Sequence, residues 1–174
     1  LWVRKQKGCE YDEAGQWAAS GTVIGPLLDA LLEDPYFERS PPKSTGLEYF
    51  NEAWLAPFLQ AHPADPADVQ ATLSQLTART VAQAVLDEAV LARRLLVCGG
   101  GVHNTDLLSR LAKLLPDTII ESTQHHGMHP DWVEAVLFAW LARERLLERE
   151  QDTGPVTGAD KPVLLGRIYP LQDA

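Results

Sequence analysis

Residues 95–104 read LLVCGGGVHN: an apolar run, three consecutive glycines, then a histidine and an asparagine. A short continuous apolar run bounded by turn residues predicts a buried strand, here ending at the glycines. Just before it, residues 66–92 place Val69, Leu73, Leu76, Thr80, Ala84 and Val85 at helical spacing, with Asp65 set to cap and Pro66 at the first helical position. That pattern predicts a helix of about 26 residues. Just after it, NTDLLSRLAKLLP (104–116) predicts a second helix, capped by Asn104 and stopped by Pro116. A strand in DTIIES (117–122), a loop in TQHHGMH (123–129) and a long helix over residues 130–150 follow. Strands alternating with helices imply a helix-rich α/β fold on a partly parallel sheet.

Three adjacent glycines lose more backbone entropy on folding than any other tripeptide, so a geometric requirement must offset the loss. Gly99, Gly100 and Gly101 fall where the carboxyl end of a strand meets a helix N-terminus, the place at which open α/β sheets bind ligands. Backbone amides there can reach a phosphate or a ribose; a tight packing turn with no ligand fits the same spacing. The run is neither GxGxxG nor a Walker loop, since no Gly-Lys-Ser or Gly-Lys-Thr follows.

The N-terminal half reads as helical. YDEAGQWAASGTVIGPLLDALLED (11–34) predicts two short helices, with Asp12 as N-cap and Asp34-Pro35 closing the second. After the Pro41-Pro42 break, Thr45 and Glu48 have capping-box spacing and predict a helix over about residues 47–59, with Tyr49, Phe50 and Trp54 packing in a core. Near the other end, at most a short edge strand is expected around residues 163–165. Two convincing strands are few for a sheet, so further strands are expected upstream, or the helical half dominates.

Composition narrows the functional classes. Of 174 residues, 45% are apolar and 22% charged, an ordinary globular balance, and 24 acidic against 15 basic residues give a net charge of -9. Direct nucleic-acid binding is disfavoured. An acidic protein that handles a phosphorylated ligand is expected to use helix N-termini, backbone amides and a divalent cation. Cys9 and Cys98 stand far apart, without disulfide or zinc spacing, which suits a reducing cytoplasm. No window reaches the roughly 18 apolar residues of a membrane span. The chain opens on LWVRKQKG without a methionine, and a preceding part is expected.

His125, His126 and His129, with His103 elsewhere, lack an acidic partner at zinc-type spacing within TQHHGMH, which favours a solvated loop. Glu134 stands out. Val133, Val136, Leu137, Trp140 and Leu141 mark the expected packed side of the last long helix, and Glu134 lies within that apolar surface near the helix start. A carboxylate there gains from the helix dipole whether or not it has a function.

Five blocks in this order, PPKSTGLEYFNEAWL (41–55), ADVQATLSQLTARTVA (67–82), VCGGGVHN (97–104), PDWVEAVLFAWLA (130–142) and VTGA (156–159), resemble the C-terminal half of the anhydro-N-acetylmuramic acid kinase family. That family belongs to the actin and hexokinase ATPase superfamily. The resemblance implies the C-terminal lobe of a ribonuclease H-like two-lobed kinase whose N-terminal lobe is missing from this chain. The 174 residues are then a single incomplete domain, with residues 1–92 mostly helical and 93–174 forming the nucleotide-side region.

It also implies a reaction. ATP, with magnesium, phosphorylates the 6-oxygen of 1,6-anhydro-N-acetylmuramic acid while water opens the anhydro ring, giving N-acetylmuramic acid 6-phosphate and ADP for peptidoglycan recycling. The family's general-base aspartate is expected immediately upstream of Leu1, near Trp2, which leaves no catalytic residue in this chain. Glu134 matches a sugar-contacting glutamate; Gly99, Gly100, Gly101 and Asn104 match the nucleotide-side turn. A cytoplasmic homodimer is implied, with the helical region before the glycine strand as a possible interface. The sequence departs from its relatives at STQHHGMHP, where Gln124 and His125 stand in place of more acidic residues. Two rivals are a non-catalytic nucleotide-binding protein on the same ATPase fold, and a methyltransferase-like domain in which Glu121 would hold a ribose.

Overall fold

A computed structural model describes residues 1–88 and 92–169. Its spine is a single long helix. The N-terminal half comprises α1 (Trp2–Lys7), α2 (Gln16–Ser20), α3 (Gly25–Leu32), α4 (Pro35–Glu38), α5 (Glu52–Ala61) and the spine α6 (Pro66–Glu88). Pro66 opens α6 as expected, and Asp65 closes its first turn through its carbonyl, which accepts from Val69 N–H at 3.0 Å. The last positions of the anticipated 26-residue helix, residues 89–91, lie outside the described residues.

The first half of α6 packs under α3 and α5. Leu27, Leu28, Leu31, Leu55, Val69 and Leu76 form one apolar core there. Thr72, fully buried, donates to the Asp68 carbonyl at 2.7 Å and accepts from Ile24 N–H at 3.0 Å, so its hydroxyl is satisfied and locks α3 to the spine. Two short helices do form in residues 11–34. Asp12 serves the second turn of this segment: its carboxylate accepts from the N–H groups of Trp17 and Ala18, both at 2.9 Å.

The helix anticipated from residue 47 starts later. Asn51 is the cap, accepting from Trp54 N–H at 3.0 Å, so the Thr45 and Glu48 spacing does not start a helix. Residues 47–50 turn instead to carry Tyr49 and Phe50 into an aromatic cluster with Tyr36, Phe37 and Trp54, where Phe50 meets Trp54 edge-on at 4.8 Å. Beneath it, buried Asp34 accepts from Trp54 Nε1, Tyr49 Oη and Tyr36 N–H.

The second half of α6 supports the sheet. Strands β1 (Arg94–Val97) and β2 (Ile119–Ser122) pair in parallel, Leu95 opposite Ile120 and Val97 opposite Ser122, with α7 (Thr105–Leu114) as the crossover. Ala78 and Ala82 of α6, with Leu111 and Leu115, form a second core that Leu95 and Ile120 join. Ser74 and Arg110 both bond Asp106 Oδ2, at 2.9 and 2.7 Å, tying α7 to the spine.

Two burial expectations are overturned. The strands are half-buried: on the sheet face away from α6 and α7, Leu96 is 44% and Ile119 54% exposed. Helix α8 (Val133–Leu146), which follows a 3-10 turn over Pro130–Trp132, leaves its supposed packed side uncovered, with Leu137 49% and Trp140 43% exposed. Its apolar periodicity records a face built to be buried, yet a two-stranded sheet offers no layer to cover it among the described residues. Helix α8 also ends four residues short of residue 150, where Glu148 takes a positive φ of 54°. The edge strand expected near 163 reduces to one antiparallel bridge, Gln151 to Val163, and a last short helix α9 spans Gly154–Thr157. No described helix is long and apolar enough to cross a membrane.

Candidate functional site

Parallel pairing brings the carboxyl ends of β1 and β2 to the same edge, so the glycine turn after Val97 and the loop after Ser122 lie side by side. Gly99 has φ 67° and ψ -168°, a conformation open in practice only to glycine. Gly100 opens a 3-10 turn that ends at His103, and Asn104 then caps α7 by accepting from Leu107 N–H at 2.9 Å. Asn104 thus sits where the sequence placed it, with its Oδ1 engaged in the cap.

Gly100 and Gly101 do not have positive φ, so conformation does not explain them. Packing does not either: a Cβ at Gly99, Gly100 or Gly101 would meet nothing within 4 Å. Gly21 shows the contrast, since a Cβ there would collide with the Ala67 carbonyl. The tight packing turn is therefore not what this geometry describes. Among the described residues no acceptor meets the N–H of Gly100 or Gly101, the orphan donors of a helix start. The turn offers open space lined by unmet backbone donors, which suits a polar or anionic ligand.

Pro130 and Asp131 hold this turn from the other side. Gly99 N–H donates to the Pro130 carbonyl at 2.9 Å, and His103 Nε2 lies 2.9 Å from Asp131 Oδ1. A carboxylate only accepts, so the proton of that pair is on Nε2. His129 accepts from Asp131 N–H at 3.3 Å and its ring lies against Trp132. Glu134 follows in the first turn of α8, exposed, so the proposed nucleotide and sugar contacts stand on two segments bonded to each other.

The histidine loop is exposed, as the sequence favours, and two of its rings reach Glu121. Glu121 accepts from His126 Nε2 at 3.0 Å and from Arg94 at 3.1 Å, with His125 Nδ1 3.4 Å away. The His126 bond, against the opposing effect of burial and with help from the Arg94 charge, holds the Glu121 carboxyl below its ordinary range. A carboxylate with three such partners is not free for a ribose, which removes the geometric basis of the methyltransferase-like rival. Sequence reasoning missed Pro130, Asp131 and the pairing roles of His103 and His126. The i, i+4 and i, i+5 offsets of His125 and His126 from Glu121 carried a faint signal; the Asp131 pairing carried none, because it joins residues 28 positions apart.

The sequence model of the family described as anhydro-N-acetylmuramic acid kinase matches residues 1–171. Among curated relatives with that name, one from Xanthomonas campestris pv. campestris is 52% identical over 169 residues, covering 97% of this chain and 45% of its own length. One from Legionella pneumophila (strain Corby) is 44% identical over 170 residues, covering 98% of this chain and 46% of its own. The chain thus spans a little under half the length of these relatives. With a match along nearly all of its residues, it belongs to the anhydro-N-acetylmuramic acid kinase family.

Proposed function

We propose that this chain is the nucleotide-contacting and sugar-contacting C-terminal part of a kinase that uses ATP and water to convert 1,6-anhydro-N-acetylmuramic acid to N-acetylmuramic acid 6-phosphate. The observation that carries the reading is the glycine turn. The Cβ positions of all three glycines face open space, and among the described residues the amides of Gly100 and Gly101 meet no acceptor, so these two glycines have a use outside the chain's own packing. Membership in the family supplies the chemistry such a ligand would undergo.

In this reading Gly99, Gly100 and Gly101 let the backbone lie against the nucleotide, Asn104 fixes the start of α7 beside it, and Glu134 accepts a hydroxyl of the sugar. The part these residues play is orientation: a positioned phosphoryl group and a held acceptor account for most of the catalysis in phosphoryl transfer. Magnesium, when bound, neutralises charge on the phosphates. The base that activates water is assigned by family resemblance to an aspartate preceding Leu1. The actin and hexokinase-like lobe, a cytoplasmic location and a homodimer formed through the helical half are parts of the same proposal.

The test is ADP release with magnesium, ATP and the anhydro-sugar, run on this chain and on a version extended to the length of its relatives. Turnover only in the extended protein supports the reading. A folded extended protein that binds ATP without turnover replaces it with a non-catalytic nucleotide-binding role.

A further inference from the structure

Helix α8 is held weakly at the end that matters. Among the described residues its one buried member is Glu144, near the far end, where Arg143 and Arg149 flank the carboxylate at 2.7 and 3.6 Å. Its apolar side chains are largely exposed. At the start of the helix, two bonds to the glycine turn fix its position: Gly99 N–H to the Pro130 carbonyl and His103 to Asp131, each 2.9 Å. Both donors belong to one short turn, residues 99–103, and both acceptors to one 3-10 turn that leads directly into Glu134.

We propose that His103 and Asp131 are positioning residues that latch the glycine turn to the start of α8, so that a nucleotide at the glycines and a sugar at Glu134 bind cooperatively. The inference rests on the proposed function for the identity of the two ligands. Physically, both bonds form without ligand, and a nucleotide on the open face of Gly100 and Gly101 further stabilises the turn that carries His103 and the Gly99 amide. That turn then presents its two donors to Pro130 and Asp131 in a fixed geometry, and Glu134, less than one helical turn further on, is ordered before the sugar arrives. The cost of fixing the second site is met at the first, and the coupling is reciprocal by linkage. Both members of the side-chain pair are well exposed, at 61% and 46%, so the pair adds little to stability and its loss reads out as geometry.

The experiment is a double-mutant cycle in the protein extended to its relatives' length. His103→Ala, a change on the nucleotide side, is expected to raise the KM for the sugar by roughly two- to fivefold with a smaller effect on kcat. Asp131→Ala, a change on the sugar side, is expected to weaken ATP by a comparable factor, and the double variant to be no worse than either single one. Asp131→Asn keeps an acceptor oxygen and is expected to retain near-normal coupling. Effects confined to each residue's own ligand, or multiplying in the double variant, overturn the latch. Hydrogen exchange of residues 129–135 gives a readout that does not depend on turnover: ATP protects them in the wild type and not in His103→Ala. ATP that binds without protecting that segment overturns the latch alone; no ATP binding at all overturns both the latch and the nucleotide reading.

Discussion

The amide of Gly99 donates to the carbonyl of Pro130 across 2.9 Å, joining the turn that follows β1 to the turn that precedes α8. The two stand 31 positions apart in sequence, yet this bond and the neighbouring His103 pair tie the two candidate ligand contacts together. The proposed site is thus an assembly of a backbone turn and a helix start.

The glycines separate conformation from function. Gly100→Ala and Gly101→Ala require no positive φ and meet no neighbour, so thermal stability is expected to change by no more than about 1 kcal/mol, upward if at all. ATP binding by calorimetry is expected to weaken at least tenfold in the extended protein. Gly99→Ala, at φ 67°, is expected to lose about 1–2 kcal/mol of stability. Unchanged ATP affinity in the first two variants contradicts the nucleotide assignment.

Glu134 is exposed and carries no structural bond among the described residues. Glu134→Gln is expected to leave the melting profile within about 0.5 kcal/mol of wild type while lowering sugar-dependent ADP release in the extended protein. Wild-type kinetics in that variant would refute its role.

Asp34 anchors the helical half. Asp34→Ala strands the Trp54 indole N–H, the Tyr49 hydroxyl and the Tyr36 amide, and is expected to cost about 2–4 kcal/mol in denaturant unfolding. A loss below about 0.5 kcal/mol would mean that solvent replaces the carboxylate without penalty.

Acid should act on the same group. Burial pushes the Asp34 carboxyl up, but bonds from Trp54, the Tyr36 amide and Tyr49 outweigh it and leave its pKa below the ordinary 3.8. The folded state therefore binds fewer protons than the unfolded one, so this contribution is present above about pH 4 and fades as pH falls through the lowered value. Glu121, also lowered, has the same sign. Unfolding midpoints measured from pH 6 to pH 2 are expected to drop on the acid side, and less steeply in Asp34→Asn; parallel curves would count against the assignment.

Large apolar side chains stand exposed both on α8, as Leu137, Phe138 and Trp140, and on the open sheet face, as Leu96 and Ile119. The 174-residue chain by itself is expected to bind 8-anilinonaphthalene-1-sulfonate strongly and to self-associate with rising concentration. A monomeric chain with no dye fluorescence would show that these side chains are covered in solution.

Local chemistry was legible in the sequence wherever a few adjacent residues decide the outcome. Pro66 opens the spine helix, Asn104 caps α7, Pro116 follows its end, and LLV before three glycines makes a strand and a turn. These depend on dihedral limits and short-range bonds, which a sequence states directly. Tertiary structure decided what distant residues do to one another. Thr45 and Glu48 had the spacing of a cap, but the Tyr49 hydroxyl bonds Asp34, Phe50 packs on Trp54, and the helix starts at Asn51 instead. Periodicity gave α8 an apolar face without saying whether anything would cover it. The glycines announced a ligand turn, while the Gly99 and His103 bonds to Pro130 and Asp131 arose only once parallel pairing of β1 and β2 had set the two loops at the same edge, because spacing along the chain carries no information about which loops a sheet brings together.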